Sequence, residues 1–300
     1  MFKPLWVRSL FIAFTALFLA APLMAEDVNL SERAPSFWKA EGQDNTVWLF
    51  GSVHVLTEDH YPLADKVEEA FEQSAYLVVE TDVVNVDPQA QQQLMINAGM
   101  LRDGQTLEDV LGEARWERAR SLAADNGYDL EQMAMLRPWL IALVLSVTEL
   151  ERMGYTAAHG VETYFLERAE REQKSIVELE TLQFQISLFS DMDRDTEVAF
   201  LMQTLEEIQD LEAQMEMLVA AWESGELDKL EETMLADFAD YPEVYERVVT
   251  RRNHNWMNDL TRFLDEGQQD YFVAVGALHM VGEEGVINLL REAGYRVERQ

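Results

Sequence analysis

The sequence predicts an α/β protein: a mixed β-sheet core built from two pseudo-symmetric halves, with a large helical middle. Three observations carry that expectation. Short apolar, β-branched runs alternate with amphipathic stretches near both ends of the chain, the pattern of strands joined by crossover helices. Between them, from about residue 88 to 240, helical periodicity is nearly continuous. Two of the strand-like runs, TVWLFGSVHVL at 46–56 and YFVAVGALHMV at 271–281, lead into the same Gly-x-x-His arrangement.

Taken in order, SFWKAEGQDNTVWLF (36–50) reads as a β-hairpin, two aromatic and branched runs parted by Gly42, Asp44 and Asn45. Its second strand delivers Gly51 and His54. YPLADKVEEAFEQS (61–74) has apolar residues at helical spacing, and AYLVVETDV is a short buried-type strand that reaches Glu80 and Asp82. Helices are expected over 88–102, 106–125 and 129–153, with stops at Gly104, Gly127 and Gly154 and an interruption or start at Pro138. HGVETYFLERAEREQK (159–174) is a further amphipathic helix. SIVELETL is strand-like and reaches Glu178 and Glu180. Residues 182–240 are helical and acidic, restarting at Gly225, and YERVVTRRNHNWMNDLTRFLDEG is a helix with a basic and amide cluster. Strand, helix and a final short strand complete the chain.

The chain has 300 residues, 48% of them hydrophobic, enough for a substantial core. Its formal net charge of -33 repels phosphate backbones and anionic membranes, so nucleic-acid partners are not expected. The acidic excess reads as a solubility device. Lys3 and Arg8 precede SLFIAFTALFLAAPLMA, an uncharged apolar run ending before Glu26, which is the layout of a secretory signal peptide. Residues 1–25 are therefore expected to be removed and 26–300 to form one domain that is periplasmic or secreted, with no membrane span after cleavage. LIALVLSV (140–147) is too short to span and is bounded by Arg137 and Glu149. The sequence has no cysteine, which excludes disulfides, a thiol nucleophile and a lipidated N-terminal cysteine.

In an open α/β sheet, side chains just past the strand ends face the crevice where ligands bind. Two halves meeting face to face would bring His54, Glu80, Glu180 and His279 together. Histidines with carboxylates are ligands for catalytic zinc, manganese or iron, and such an ion activates water. Ser52 lies in the first motif, but no Gly-x-Ser-x-Gly nucleophile elbow is present. Metal-free acid and base work by the two glutamates stays open, though it gives the histidines no role. Arg252 and Asn253, in TRRNHNW, have the donors to hold a carboxylate or an oxyanion. A solvated helix face balancing nearby acids is the alternative for that pair. His60, His159 and His254 read as loop or surface residues, and Trp139, Trp222 and Trp256 as core.

The ordered set LFGSVHVL, YLVVETD, LRPWLIALVL, HGVETYFLERAEREQKSIVELETLQFQ, AWESGELDKL, RRNHNW and FVAVGALHMVGEEGVINLLREAGYRVER resembles the TraB/PrgY/GumN family, in its GumN-like branch, related to the TIKI metalloproteases. The resemblance covers the chain from about residue 35 to its end. It implies an α/β fold related to erythromycin-esterase and ChaN-like proteins, and metal-dependent cleavage of a peptide substrate with a manganese- or cobalt-class ion, zinc being an alternative. His54, Glu80 and His279 would hold the ion, Glu180 would be the general base, and Arg252 with Asn253 would orient substrate or stabilise the oxyanion. The family also leaves room for a non-catalytic haem- or metal-binding envelope protein, or an interaction scaffold.

Overall fold

The computed structural model describes residues 36–235, 242–266 and 268–300. The expected signal peptide at 1–25 and the last residues of the 182–240 stretch lie outside them.

The hairpin forms as expected. Strand β1 (Phe37–Glu41) pairs antiparallel with β2 (Thr46–Ser52), with Phe37 opposite Phe50 and Glu41 opposite Thr46. The turn is closed by Gly42 N–H donating to the Asn45 carbonyl, and Asn45 in turn donates to the carbonyls of Phe263 and Gln269. Helix α1 (Asp65–Gln73) buries Val67, Ala70 and Phe71 and leads into β3 (Tyr76–Val79).

The helical middle follows: α2 (Pro88–Gly99), α3 (Leu107–Leu111), α4 (Glu113–Asp125), α5 (Pro138–Arg152) and α6 (Val161–Glu172). The single helix expected over 106–125 is two helices, broken at Gly112. Pro138 opens α5 at its first turn, where a missing N–H has no consequence for the helix. That helix is apolar nearly all round because it is buried in the core. No helix among the described residues is long and apolar enough to cross a membrane.

Strand β4 (Ser175–Glu178) precedes α7 (Leu182–Ser190), α8 (Arg194–Glu207), α9 (Leu211–Ser224), α10 (Leu227–Leu235) and the short α11 (Pro242–Tyr245). A π-helical turn at Glu246–Thr250 runs into α12 (Arg251–Glu266). Strand β5 (Tyr271–Gly276), a 3-10 turn (Ala277–His279), α13 (Val286–Glu292) and β6 (Val297–Arg299) finish the fold.

All six strands form one mixed sheet in the order β4-β3-β5-β2-β1-β6. The four strands β4, β3, β5 and β2 are parallel, and the β1–β2 and β1–β6 pairs are antiparallel. The two expected halves therefore interleave: β2 and β3 from the first alternate with β5 and β4 from the second. Alternate residues of each strand enter opposite cores. Phe50, Leu77, Val79, Phe272 and Ala274 face the large core with the helical middle, while Leu49, Val78, Val273 and Val275 face a smaller one closed by α12 and α13. Burial on both faces explains why β2, β3 and β5 read as near-continuous apolar runs, while the edge strand β4 stays partly exposed.

Candidate metal centre

The topology places four sequence-predicted residues at one edge of the sheet. In the parallel register Ser52 lies beside Gly276, Val79 beside Ala274, and Val79 beside Glu178. His54 follows β2, Glu80 follows β3, Glu180 follows β4 and His279 ends the turn after β5, so all four leave at the carboxyl end of adjacent strands. Ligands bind at this edge in open α/β sheets. The Glu180 N–H donates to the Glu80 carbonyl at 2.8 Å, extending the β3–β4 ladder up to the site.

Arg252 is the hub. Projecting from the first turn of α12, its Nε donates to Glu180 Oε1 and Oε2 at 2.9 and 3.0 Å, and Nη2 donates to Glu180 Oε2 at 2.8 Å and to Glu80 Oε2. Nη1 donates to the Val248 carbonyl at 3.0 Å and to His279 Nε2 at 2.9 Å. Since Nε2 accepts, the proton of the imidazole is on Nδ1, where it donates to Asn253 Oδ1 at 2.6 Å. Burial and the Arg252 charge push His279 down to about 3, so it is neutral. The Asn253 amide nitrogen donates to the carbonyls of Glu284 and His279. Asn253, expected to face substrate, is thus engaged at both ends in fixing His279.

Glu80 Oε1 accepts from the Gly276 N–H at 2.9 Å and Oε2 from Gln185 Nε2 at 3.1 Å. Burial alone would raise its pKa, but Arg252 foremost, with the two histidines and the Gly276 N–H, holds the carboxyl far below the ordinary carboxylate range. Glu180 is raised instead. Burial there outweighs Arg252 and the Trp256 Nε1 donor at 3.0 Å.

His54 meets a residue that sequence reasoning did not single out. Its Nδ1 lies 2.8 Å from Glu162 Oε1, and Glu162 also accepts from Ser52 Oγ. Burial opposes the charged imidazole, yet Glu162, aided by Glu80, raises His54 to about 9. The helix α6 approaches closely enough because Gly160 carries no Cβ: one built there would sit 2.1 Å from the His54 carbonyl oxygen. One ligand atom from each of His54, Glu80 and Glu162 lies within 4.8 Å of the others. One imidazole and two carboxylates are a donor set suited to a divalent ion. Gly276 keeps that space open, since a Cβ there would stand 3.2 Å from His54 Nε2 and 3.3 Å from Glu80 Oε1.

The cluster is largely buried: side-chain exposure is 2% for Arg252, 5% for Glu180 and His279, 6% for Glu80, and 11% and 10% for His54 and Glu162. Three buried carboxylates thus face one guanidinium and one imidazole that has drawn a proton. Replacing that proton by a dication would bring the buried charge to zero.

Trp256, expected as core, is both core and site: buried, donating to Glu180, and with its ring centroid 4.4 Å from that of His279. Glu162 had a signal in the sequence. It falls between Val161 and Phe165 on the apolar face of an amphipathic helix, where a charged residue calls for a partner.

A buried cluster of histidine, glutamate and arginine at the carboxyl ends of the parallel strands of a mixed α/β sheet defines a class of ligand or metal centre. The chain belongs to the TraB/PrgY/gumN family, whose model matches residues 36–299. It is 26% identical over 244 residues to the uncharacterized protein YbaP of Escherichia coli strain K12, covering 81% of this chain and 87% of YbaP. An uncharacterized protein of Treponema pallidum is 22% identical over 307 residues, covering 94% and 90%. The metalloprotease TIKI2 of Xenopus tropicalis is 24% identical over 365 residues, covering 99% of this chain and 68% of TIKI2. No solved structure matches the chain.

Proposed function

We propose that this protein is an exported, divalent-metal-dependent hydrolase that cleaves a peptide or related amide bond. The observation that carries it is the excess of buried negative charge around His54, next to the space that Gly276 keeps open. The similarity to TIKI2, named a metalloprotease, supports the reaction class. His54, Glu80 and Glu162 would hold the ion, and His279, with Nε2 3.8 Å from Glu80 Oε1 and accepting from Arg252, is the further candidate ligand. A manganese- or cobalt-class ion suits oxygen-rich ligands, with zinc the alternative. Such an ion supplies polarisation of a carbonyl and a water of lowered pKa.

The protein's own groups do the rest. Glu180, whose pKa burial raises, is the proposed general base. Arg252 carries donors for a developing oxyanion or a substrate carboxylate. Asn253 holds the His279 tautomer, which keeps Nε2 free of a proton. Burial lowers the local dielectric and so strengthens each of these interactions.

Peptide-library hydrolysis, with and without chelator, tests the reading. Cleavage that is lost on chelation and restored by manganese or cobalt is expected; cleavage that survives chelation would transfer the chemistry to the glutamates alone. Export is tested by N-terminal sequencing of the protein from the cell envelope or medium, where a start at Glu26 is expected.

A further inference from the structure

A cavity outside the buried cluster is lined in part by Arg137 and Pro138 of the LRPW segment, which the proposed chemistry leaves without a role. Half-open and about 490 Å³ in volume, it sits between the end of α2, the start of α5 and the α7–α8 junction. That volume is in the range of small-molecule sites. Arg102, Arg137 and Arg194 line it, in a chain where 56 acidic residues outnumber 23 basic ones.

The three arginines differ in what they have free. Arg137 is fully engaged: it pairs with Glu197 and donates to the carbonyls of Ala98 and Ser190 at 3.0 and 2.8 Å. It builds the cavity by tying α2, α7 and α8 together. Arg102 donates one bond, to the Asn97 carbonyl at 3.2 Å, and Arg194 one, to Gln105 Oε1 at 3.1 Å. A guanidinium has five N–H donors, so most of those on Arg102 and Arg194 are available to a ligand. Asp191 is the opposing carboxylate in the lining, since Glu197 is neutralised by Arg137. Leu101, Val110 and Met192 add apolar side chains to a lining that also holds Asn97, Gln105 and Ser190.

We propose that this cavity binds a carboxylate carried on a short apolar body. The free guanidinium groups offer the planar, paired donors that fit a carboxylate, and the side chains of Leu101, Val110 and Met192 offer contact to the body. The C-terminal residue of a peptide and a free medium-chain acid share that chemistry. The proposal does not depend on the metal reading, because none of its residues belongs to the buried cluster.

The test titrates the full chain by calorimetry with three probes: a tripeptide ending in leucine, its C-terminal amide, and octanoate. Saturable binding of at least one acid is expected, with the amide at least ~10-fold weaker, since a bidentate charge-assisted pair is what separates them. Arg102→Gln/Arg194→Gln should weaken the acid by about tenfold or more, and His54→Ala should leave it unchanged. Both arginines are exposed, and an unaltered unfolding temperature of the double variant confirms that the fold is kept. Tighter binding of the tripeptide than of octanoate identifies a peptide end as the source, and the reverse identifies a free acid. Equal binding of acid and amide, unchanged binding in the double variant, or no saturable binding of either acid would overturn the proposal.

Discussion

Arg252→Met asks most of the buried cluster. The substitution keeps the volume of the stem but removes the partner of Glu80 and Glu180, which are 6% and 5% exposed. Removing one member of a buried ion pair costs about 3–5 kcal/mol, because the charge left behind has no compensation. Here two carboxylates lose the same guanidinium, so about 4 kcal/mol is a conservative figure against a typical total of about 5–15 kcal/mol. At about 2–4 °C per kcal/mol, thermal unfolding of the metal-free protein should begin about 10 °C lower. Circular dichroism on chelated protein measures this, and Arg252→Met/Glu180→Gln should recover part of the loss. An unfolding temperature within about 3 °C of the parent would refute the reasoning, because Glu80 and Glu180 would then not be held as buried charges.

Other consequences are equally measurable. Gly276→Ala keeps an allowed backbone, with φ of -48°, yet puts a methyl group against His54 Nε2 and Glu80 Oε1; stability should change by no more than about 1 kcal/mol while ion affinity falls by tenfold or more, read by equilibrium dialysis. Trp256→Phe removes a donor to the raised carboxylate Glu180 and should cost about 1–2 kcal/mol in urea unfolding, whereas no change would leave that bond without weight. Partly buried Tyr61, which donates to the His159 carbonyl at 2.7 Å, is raised well above 10, foremost by desolvation and then by Glu162. Above pH 10 the unfolded chain loses this proton and the folded chain keeps it, so stability falls as pH rises; Tyr61→Phe should flatten that alkaline slope.

The sequence made the strand ends legible because a parallel strand is a short apolar run whose chemistry begins where the run stops. His54, Glu80, Glu180 and His279 all follow that rule. The interleaved order β4-β3-β5-β2 was not legible, since strand pairing depends on contacts between distant segments, Tyr76 with Ser175, Tyr76 with Tyr271 and Val47 with Tyr271. Glu162 and Gln185 were passed over for a related reason: each sits in a helix, and its direction toward His54 or Glu80 depends on how that helix lies on the sheet. Trp256 was read as core because bulk and burial dominate its pattern, while its N–H donor gives no periodic signal. Asn253 was recognised as a site residue, but its partners, His279 and Glu284, come from the last part of the chain.

The most direct test of the metal centre is the metal content of untagged protein by mass spectrometry, after reconstitution with manganese or cobalt, beside His54→Ala and Glu80→Gln. The account predicts about one ion per chain in the parent, at least tenfold weaker retention in both variants, and release of a proton from His54 on binding. No ion in the parent under any of these conditions, or equal retention in all three proteins, would contradict it.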